Sequence, residues 1–164
     1  MLCYNSVMKK ETYENLIMQF EGLMSDQKYL ITLLSNASAL LMDNLSDLNW
    51  SGFYLYRDGR LILGPFQGKV ACEIIEMGKG VCGTSAIKDE TVLVRNVHQF
   101  PGHIACDSAS NSEIVIPLHV RGGLFGVLDI DSPKLERFDD TDRENLEIIA
   151  RIIEKAIENT DYCN

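Results

Sequence analysis

Three cysteines, Cys72, Cys82 and Cys106, fall in the irregular, glycine-containing middle of the chain, and two more, Cys3 and Cys163, sit at its ends, where chains fray. Nine residues separate the first inner pair and twenty-three the second, unlike the close Cys-x-x-Cys pairs of structural zinc sites. His98 and His103 bring imidazoles near Cys106, yet the set fits no ribbon or finger, and no metal is expected. Thiol redox chemistry accounts for the same residues: an attacking thiolate, a sulfenic acid, and a second thiol that condenses with it. Any one of these cysteines taken alone reads as a small buried hydrophobe. Cys106 is set apart by its place in Phe100-Pro101-Gly102-His103-Ile104-Ala105-Cys106-Asp107, where an imidazole lowers a thiol pKa from its usual value of about 8.5 and Asp107 opposes it.

Acidic residues inside apolar runs are the second anomaly. In Gly126-Val127-Leu128-Asp129-Ile130-Asp131 the two aspartates are two apart, so on an extended strand both carboxylates face the same way. Pairing about the turn Arg121-Gly122-Gly123 brings Glu113, at the start of the preceding strand, near Asp131. Three acids then crowd one concavity, which costs free energy unless a cation or a shared proton compensates. A ligand ammonium supplies the cation. Trp50 is the only tryptophan, and at the mouth of the first strand it is placed either to fill the core or to wall a pocket.

The elements that must position these residues follow from periodicity. Tyr13, Leu16, Ile17, Phe20 and Leu23, and then Leu30, Leu33, Leu34, Ala37, Leu40, Leu41 and Leu45, give the stripes of two helices over about 9–46, broken near Gly22 to Asp26. From Trp50 the period changes to two, and Asp58-Gly59 marks a hairpin turn before Leu61-Ile62-Leu63. Val81 to Ile87, framed by glycines, reads as a two-turn helix, and Val92-Leu93-Val94 as a short strand. Asn96 to Asn111 shows no periodicity and reads as the site loop. Ile114 to Val120 and Leu124 to Ile130 form a second hairpin, central in the sheet, with Pro117 where no ladder donor is needed. Thr141-Asp142-Arg143-Glu144 reads as the capping box of a last helix over about 141–158, striped by Leu146, Ile149, Ala150, Ile153 and Ile157. Asp139, Asp140 and Asp142 suit the positive end of that helix's dipole. Terminal helices around an antiparallel sheet make the chain α+β, one domain over 1–164 with the sheet and site loops in 50–133.

Lys and Arg number 15 against 24 Asp and Glu, a net charge of −9 that opposes nucleic acid and anionic membrane as partners. No apolar run has the length of a membrane span and the N-terminus lacks the pattern of a secretory signal, so a cytoplasmic location is expected.

Gly64-Pro65-Phe66-Gln67-Gly68-Lys69, Gly78-Lys79-Gly80-Val81-Cys82-Gly83, Val97-His98-Gln99-Phe100-Pro101-Gly102-His103-Ile104-Ala105-Cys106-Asp107, Ser112-Glu113-Ile114-Val115-Ile116-Pro117 and Gly126-Val127-Leu128-Asp129-Ile130-Asp131-Ser132-Pro133 together resemble the free methionine-(R)-sulfoxide reductases, which are stand-alone GAF domains. The resemblance covers about residues 10–160. It implies a GAF-like central antiparallel sheet with the terminal helices on one side and a loop-rich site on the other. It further implies that Cys106 attacks the sulfoxide sulfur, that Cys72 traps the sulfenic acid with Cys82 able to enter a further disulfide, and that thioredoxin restores the thiols with no bound cofactor. Trp50, Glu113, Asp129 and Asp131 match the positions that hold free methionine sulfoxide, and Glu113 also joins the catalytic set. The residues agree: an acidic pocket suits an ammonium, an aromatic wall suits an S-methyl group, and a protonated carboxyl suits a departing sulfoxide oxygen. The order in which Cys72 and Cys82 resolve stays open, and a homodimer is allowed. A GAF sensory module that binds a small ligand or senses oxidants without turnover is the alternative, since one fold hosts both uses.

Overall fold

The computed structural model describes residues 2–102 and 108–162, with side chains from residue 8 onward; His103 and Cys106 lie outside the described residues. Among the described residues are helices α1 (Leu2–Met24), α2 (Leu30–Asn44), α3 (Gly80–Lys88) and α4 (Asp140–Ile157), and strands β1 (Trp50–Arg57), β2 (Arg60–Gly68), β3 (Ile74–Glu76), β4 (Val92–Val94), β5 (Ser112–Val120) and β6 (Gly123–Ser132). The strands form one sheet in the order β3-β2-β1-β6-β5-β4, antiparallel at every pairing. Its edges, β3 and β4, are three residues each, short enough to offer little to a stray strand. No helix among the described residues is long and apolar enough to cross a membrane.

One sheet face carries Phe53, Ile114, Ile116, Leu118, Leu128 and Ile130 into a core shared with α1, α2 and α4. The opposite face carries Trp50, Tyr54, Leu61, Val115 and Val127 and is covered by α3. In α1 the buried stripe runs through Tyr13, Leu16, Phe20 and Met24; Leu23, expected in that stripe, is exposed, because a step of four from Phe20 keeps the face turned to the core.

Both hairpins close with two residues at positive φ, Asp58-Gly59 and Arg121-Gly122, the left-handed pair of a type I′ turn. The second turn is one residue shorter than the expected Arg121-Gly122-Gly123, since Val120 pairs with Gly123. Continued evenly, that register would set Glu113 opposite Ile130, on the helix side. A register shift between Leu118 and His119 leaves Phe125 as an extra residue on β6, and from there Glu113 pairs with Asp131 as expected. Pro117 pairs with Val127 on β5, while β4 reaches only as far as Val115, so the other edge has no ladder there.

The start of α4 corrects the sequence reading. The N-cap is Asp139, and the capping box is Asp139 with Asp142, each accepting the other's backbone N–H at 3.1 and 2.8 Å; Thr141 and Glu144 do not form it. A carboxylate accepts as well as a hydroxyl at this position, and starting the helix two residues earlier seats Asp142 inside the protein. There the fully buried carboxylate accepts from Lys9 Nζ at 2.6 Å, Tyr13 Oη at 2.7 Å and Arg137 Nη1 at 3.1 Å. These bonds fasten α1 to the head of α4, a role beyond a favourable dipole. Asp142→Ala removes the shared acceptor and leaves the Tyr13 hydroxyl buried without it. We expect a loss of about 3 kcal/mol in urea unfolding with an unchanged m-value; a loss below about 1 kcal/mol would show the contacts to be incidental.

Candidate active site

Strand alternation builds the site on the α3 side of the sheet. Trp50 pairs with Asp131, Gly52 with Asp129, Glu113 with Asp131 and Val115 with Asp129, so Trp50, Gly52, Glu113, Asp129 and Asp131 share one face. Glu113 and Asp129 are buried and Asp131, nearer the strand end, is half-buried. Three of the expected acids thus converge as the sequence predicts.

Helix α3 brings Cys82 down onto them. Gly83 makes this approach possible, because a Cβ there would run into the Glu76 carbonyl oxygen. The Gly83 carbonyl accepts from Gly78 N–H at 2.8 Å, and Ser85 Oγ donates to the Glu90 carbonyl at 2.9 Å, fixing both ends of the helix. Cys82 Sγ lies 4.0 Å from Glu113 Oε1, and one ligating atom each of Cys82, Glu113 and Asp129 lies within 4.8 Å of the others. Asp129 Oδ1 is buried without a hydrogen bond among the described residues.

The electrostatics follow from burial first. Desolvation and the neighbouring charge of Asp129 push the Glu113 carboxyl well above the ordinary carboxylate range, which favours its protonated form. Desolvation raises Asp129 to about 6, held there by hydrogen bonds from Cys82 and Glu113. Cys82 sits in the first turn of α3, where a helix dipole favours a thiolate; burial and the two carboxyls outweigh it and push the thiol well above its usual value. Cys82 is a free, protonated, weakly nucleophilic thiol in this arrangement.

Trp50 stacks on Phe66 at 5.3 Å between ring centroids and on Tyr54 at 5.9 Å, forming an aromatic wall beside the acids. A side chain on Gly52 would strike both Phe66 and Trp50, so glycine makes room for that wall. Trp50 Nε1 donates to the Lys69 carbonyl at 3.1 Å, and Tyr54 Oη donates to the Cys72 carbonyl at 3.0 Å. The Cys72 segment is thereby held against the floor that the acids share. Cys72 itself is half-buried and disulfide-bonded.

Tyr54 and Phe66 were not singled out by the sequence. Tyr54 was findable, since it lies two steps of period two from Trp50; Phe66 was not, since its place depends on the register of β2. The stems of the site loop are tied by Val97 N–H to the Asn111 carbonyl at 3.0 Å, and Asn49 Nδ2 donates to Ser110 Oγ at 3.0 Å beside Trp50. His98 Nε2 faces Asn111 Oδ1 at 2.8 Å and is not one of the Cys82, Glu113 and Asp129 cluster.

A six-stranded antiparallel sheet with helices on both faces and a polar site under a short helix defines a GAF domain, and residues 32–158 match the GAF domain family model. The chain is 49% identical over 154 residues to the free methionine-R-sulfoxide reductase of Escherichia coli K12, covering 94% of this chain and 93% of that protein. It is 47% identical over 156 residues to the enzyme of the same name from Saccharomyces cerevisiae, covering 90% and 87%. The structure of free methionine-R-sulfoxide reductase from Neisseria meningitidis in complex with its substrate superposes with a TM-score of 0.89 at 41% identity, covering 93% of this chain and 92% of that one. The chain belongs to the free methionine-R-sulfoxide reductases, an oxidoreductase family built on the GAF fold.

The raised acids make stability depend on pH. Folded Asp129 ionises near 6 and the unfolded chain near 3.8, so the native state keeps a proton that the unfolded state releases first. Its contribution is fully present below the unfolded value and is lost as pH rises through about 6. Between about pH 4 and pH 8, wild type should lose more stability than Asp129→Asn, by up to about 3 kcal/mol in urea titrations; equal pH slopes would show that Asp129 is not desolvated.

Proposed function

We propose that this chain reduces free L-methionine-(R)-sulfoxide to methionine, using Cys106 as the nucleophile. The support is a site that offers an ammonium-bearing sulfoxide what it needs: Asp129 and Asp131 for the amino group, the Trp50, Tyr54 and Phe66 rings for the S-methyl group, and a buried, protonated Glu113 for the sulfoxide oxygen. The burial of Glu113 beside Asp129 is the observation on which the reading rests most heavily, because it favours a carboxyl that holds a proton and sulfoxide cleavage must deliver one to oxygen.

Chain reach is consistent with the nucleophile. Ser110 is tied beside Trp50, and the four residues from Ser110 to Cys106 span at most about 14 Å. The Cys106 thiolate attacks the sulfoxide sulfur while Glu113 protonates the oxygen; the S–O bond breaks as oxygen passes to Cys106, leaving methionine and a Cys106 sulfenic acid. The Cys72 thiolate then attacks that sulfur, water departs, and a Cys72–Cys106 disulfide forms. The disulfide-bonded state of Cys72 and the burial of Cys82 both favour Cys72 as the first resolving thiol. A dithiol of the thioredoxin type restores both thiols, so the protein works without a bound cofactor and in a reducing compartment, the cytoplasm.

Cys106→Ser is expected to abolish methionine release with dithiothreitol as reductant, since a hydroxyl is a far weaker nucleophile toward sulfur. Activity within a few-fold of wild type would overturn the assignment. Cys72→Ser is expected to release about one methionine per chain in a single turnover but to recycle poorly with thioredoxin; undiminished cycling would transfer the resolving role to Cys82. An N-acetylated or peptide-bound sulfoxide leaves the site carboxylates without their cation, at a cost of about 1–3 kcal/mol or more, so those substrates should react at least about ten-fold more slowly than the free amino acid. Asp129→Ala should raise KM, and Glu113→Ala should mainly lower kcat. Tight binding of methionine sulfoxide with no methionine released would favour a sensory module.

A further inference from the structure

We infer that the reduced, substrate-free protein binds one borderline-soft divalent cation, of which zinc is the type, between Cys82, Glu113 and Asp129, and that this ion excludes the substrate. The inference rests on the proposed function only for the second half, in which ion and substrate ammonium contend for one place.

The geometry supplies a thiol and two carboxyls whose ligating atoms lie within 4.8 Å of one another, all three buried. Zinc bonds of about 2.0–2.3 Å in a tetrahedron set neighbouring ligands roughly 3.3–3.8 Å apart. Closing the set therefore takes side-chain shifts of about an ångström. The independent sign of a missing ligand is Asp129 Oδ1, which is buried in a residue 6% exposed and accepts no hydrogen bond among the described residues. A lone pair in that position is left without a partner, which proteins seldom tolerate. Asp131, half-buried on the same face, leaves a negative group at the approach.

The donor set selects the metal. One thiolate with two carboxylates suits zinc and its thiophilic relatives, whereas magnesium and calcium favour oxygen alone and keep their water. Coordination needs the thiolate of Cys82 and the carboxylate of Glu113. It also ties up the protonated Glu113 that the reduction uses, so an ion here stops turnover instead of assisting it.

The test uses the full chain, reduced with a phosphine so that no added thiol competes for metal. Cadmium is the probe, because a cadmium–thiolate bond gives an ultraviolet charge-transfer band, and zinc is then titrated to displace it. The expected result is one equivalent bound with the band present, the band lost in Cys82→Ser but kept in Cys72→Ser, and zinc bound more than about ten-fold more weakly by Asp129→Asn. Magnesium at the same concentration should displace nothing. No band in wild type, or a band of undiminished intensity in Cys82→Ser, overturns the site. Free methionine, which has the ammonium but no sulfoxide oxygen to reduce, should displace the ion. Ion binding indifferent to methionine would sustain the metal site and remove the ammonium reading of the same acids; absence of metal binding with normal sulfoxide turnover would remove the metal site alone.

Discussion

Two carboxyl groups and a thiol lie out of water within 4.8 Å of one another, and the rest of the molecule is arranged around the cost of that placement. Separately ionised, the three would repel strongly at low effective dielectric. The cluster avoids this by holding protons: Glu113 and Cys82 stay neutral and Asp129 titrates near 6. An arrangement that is unfavourable when empty is receptive to a cation, and a proton held above its usual pKa is available to a leaving oxygen. Both properties come from the same desolvation, so neither can be tuned without moving the other.

Holding such a cluster in place falls to the sheet. β6 lies between β1 and β5, so its ladders on both sides fix Asp129 and Asp131 while the face behind them is filled by the apolar core against α1, α2 and α4. Register is the sensitive quantity, since a slip of one residue moves every side chain to the other face. The extra residue at Phe125 is what reconciles a two-residue turn with Glu113 opposite Asp131. Its ring fills the helix-side core and packs edge-on against Tyr162 at 5.1 Å, so the bulge is held by burial on the side away from the chemistry.

Much of this was legible in the sequence because it depends on period alone. The two-residue spacing of Asp129 and Asp131, the turn glycines and the apolar stripes of α2 and α4 each follow from local pattern. What escaped depends on partners distant in the chain. The α4 cap was misread because Thr141 and Glu144 satisfy the local rule, while the winning carboxylate, Asp142, is chosen by Lys9 and Tyr13, more than a hundred residues away. Phe66 joined the aromatic wall through the pairing of β2 with β1, and the inert state of Cys82 follows from a burial that its helix-start position does not foretell.

The clasp between α1 and α4 bears on how this architecture can be cut and rejoined. The segment shared with the GAF family model, residues 32–158, begins after α1 ends, yet Asp142 inside that segment is buried on the strength of groups from α1. Excised at the shared boundary, the segment would keep the site's strands but lose the Tyr13, Leu16, Phe20 and Met24 side of the helix core and leave Asp142 without Lys9 and Tyr13. The limits of common ancestry and the limits of a stable piece of chain therefore differ here. A relative lacking the first helix has to replace Asp142 or cover it with a surface of its own, which makes that position a marker for how the fold is completed in each lineage.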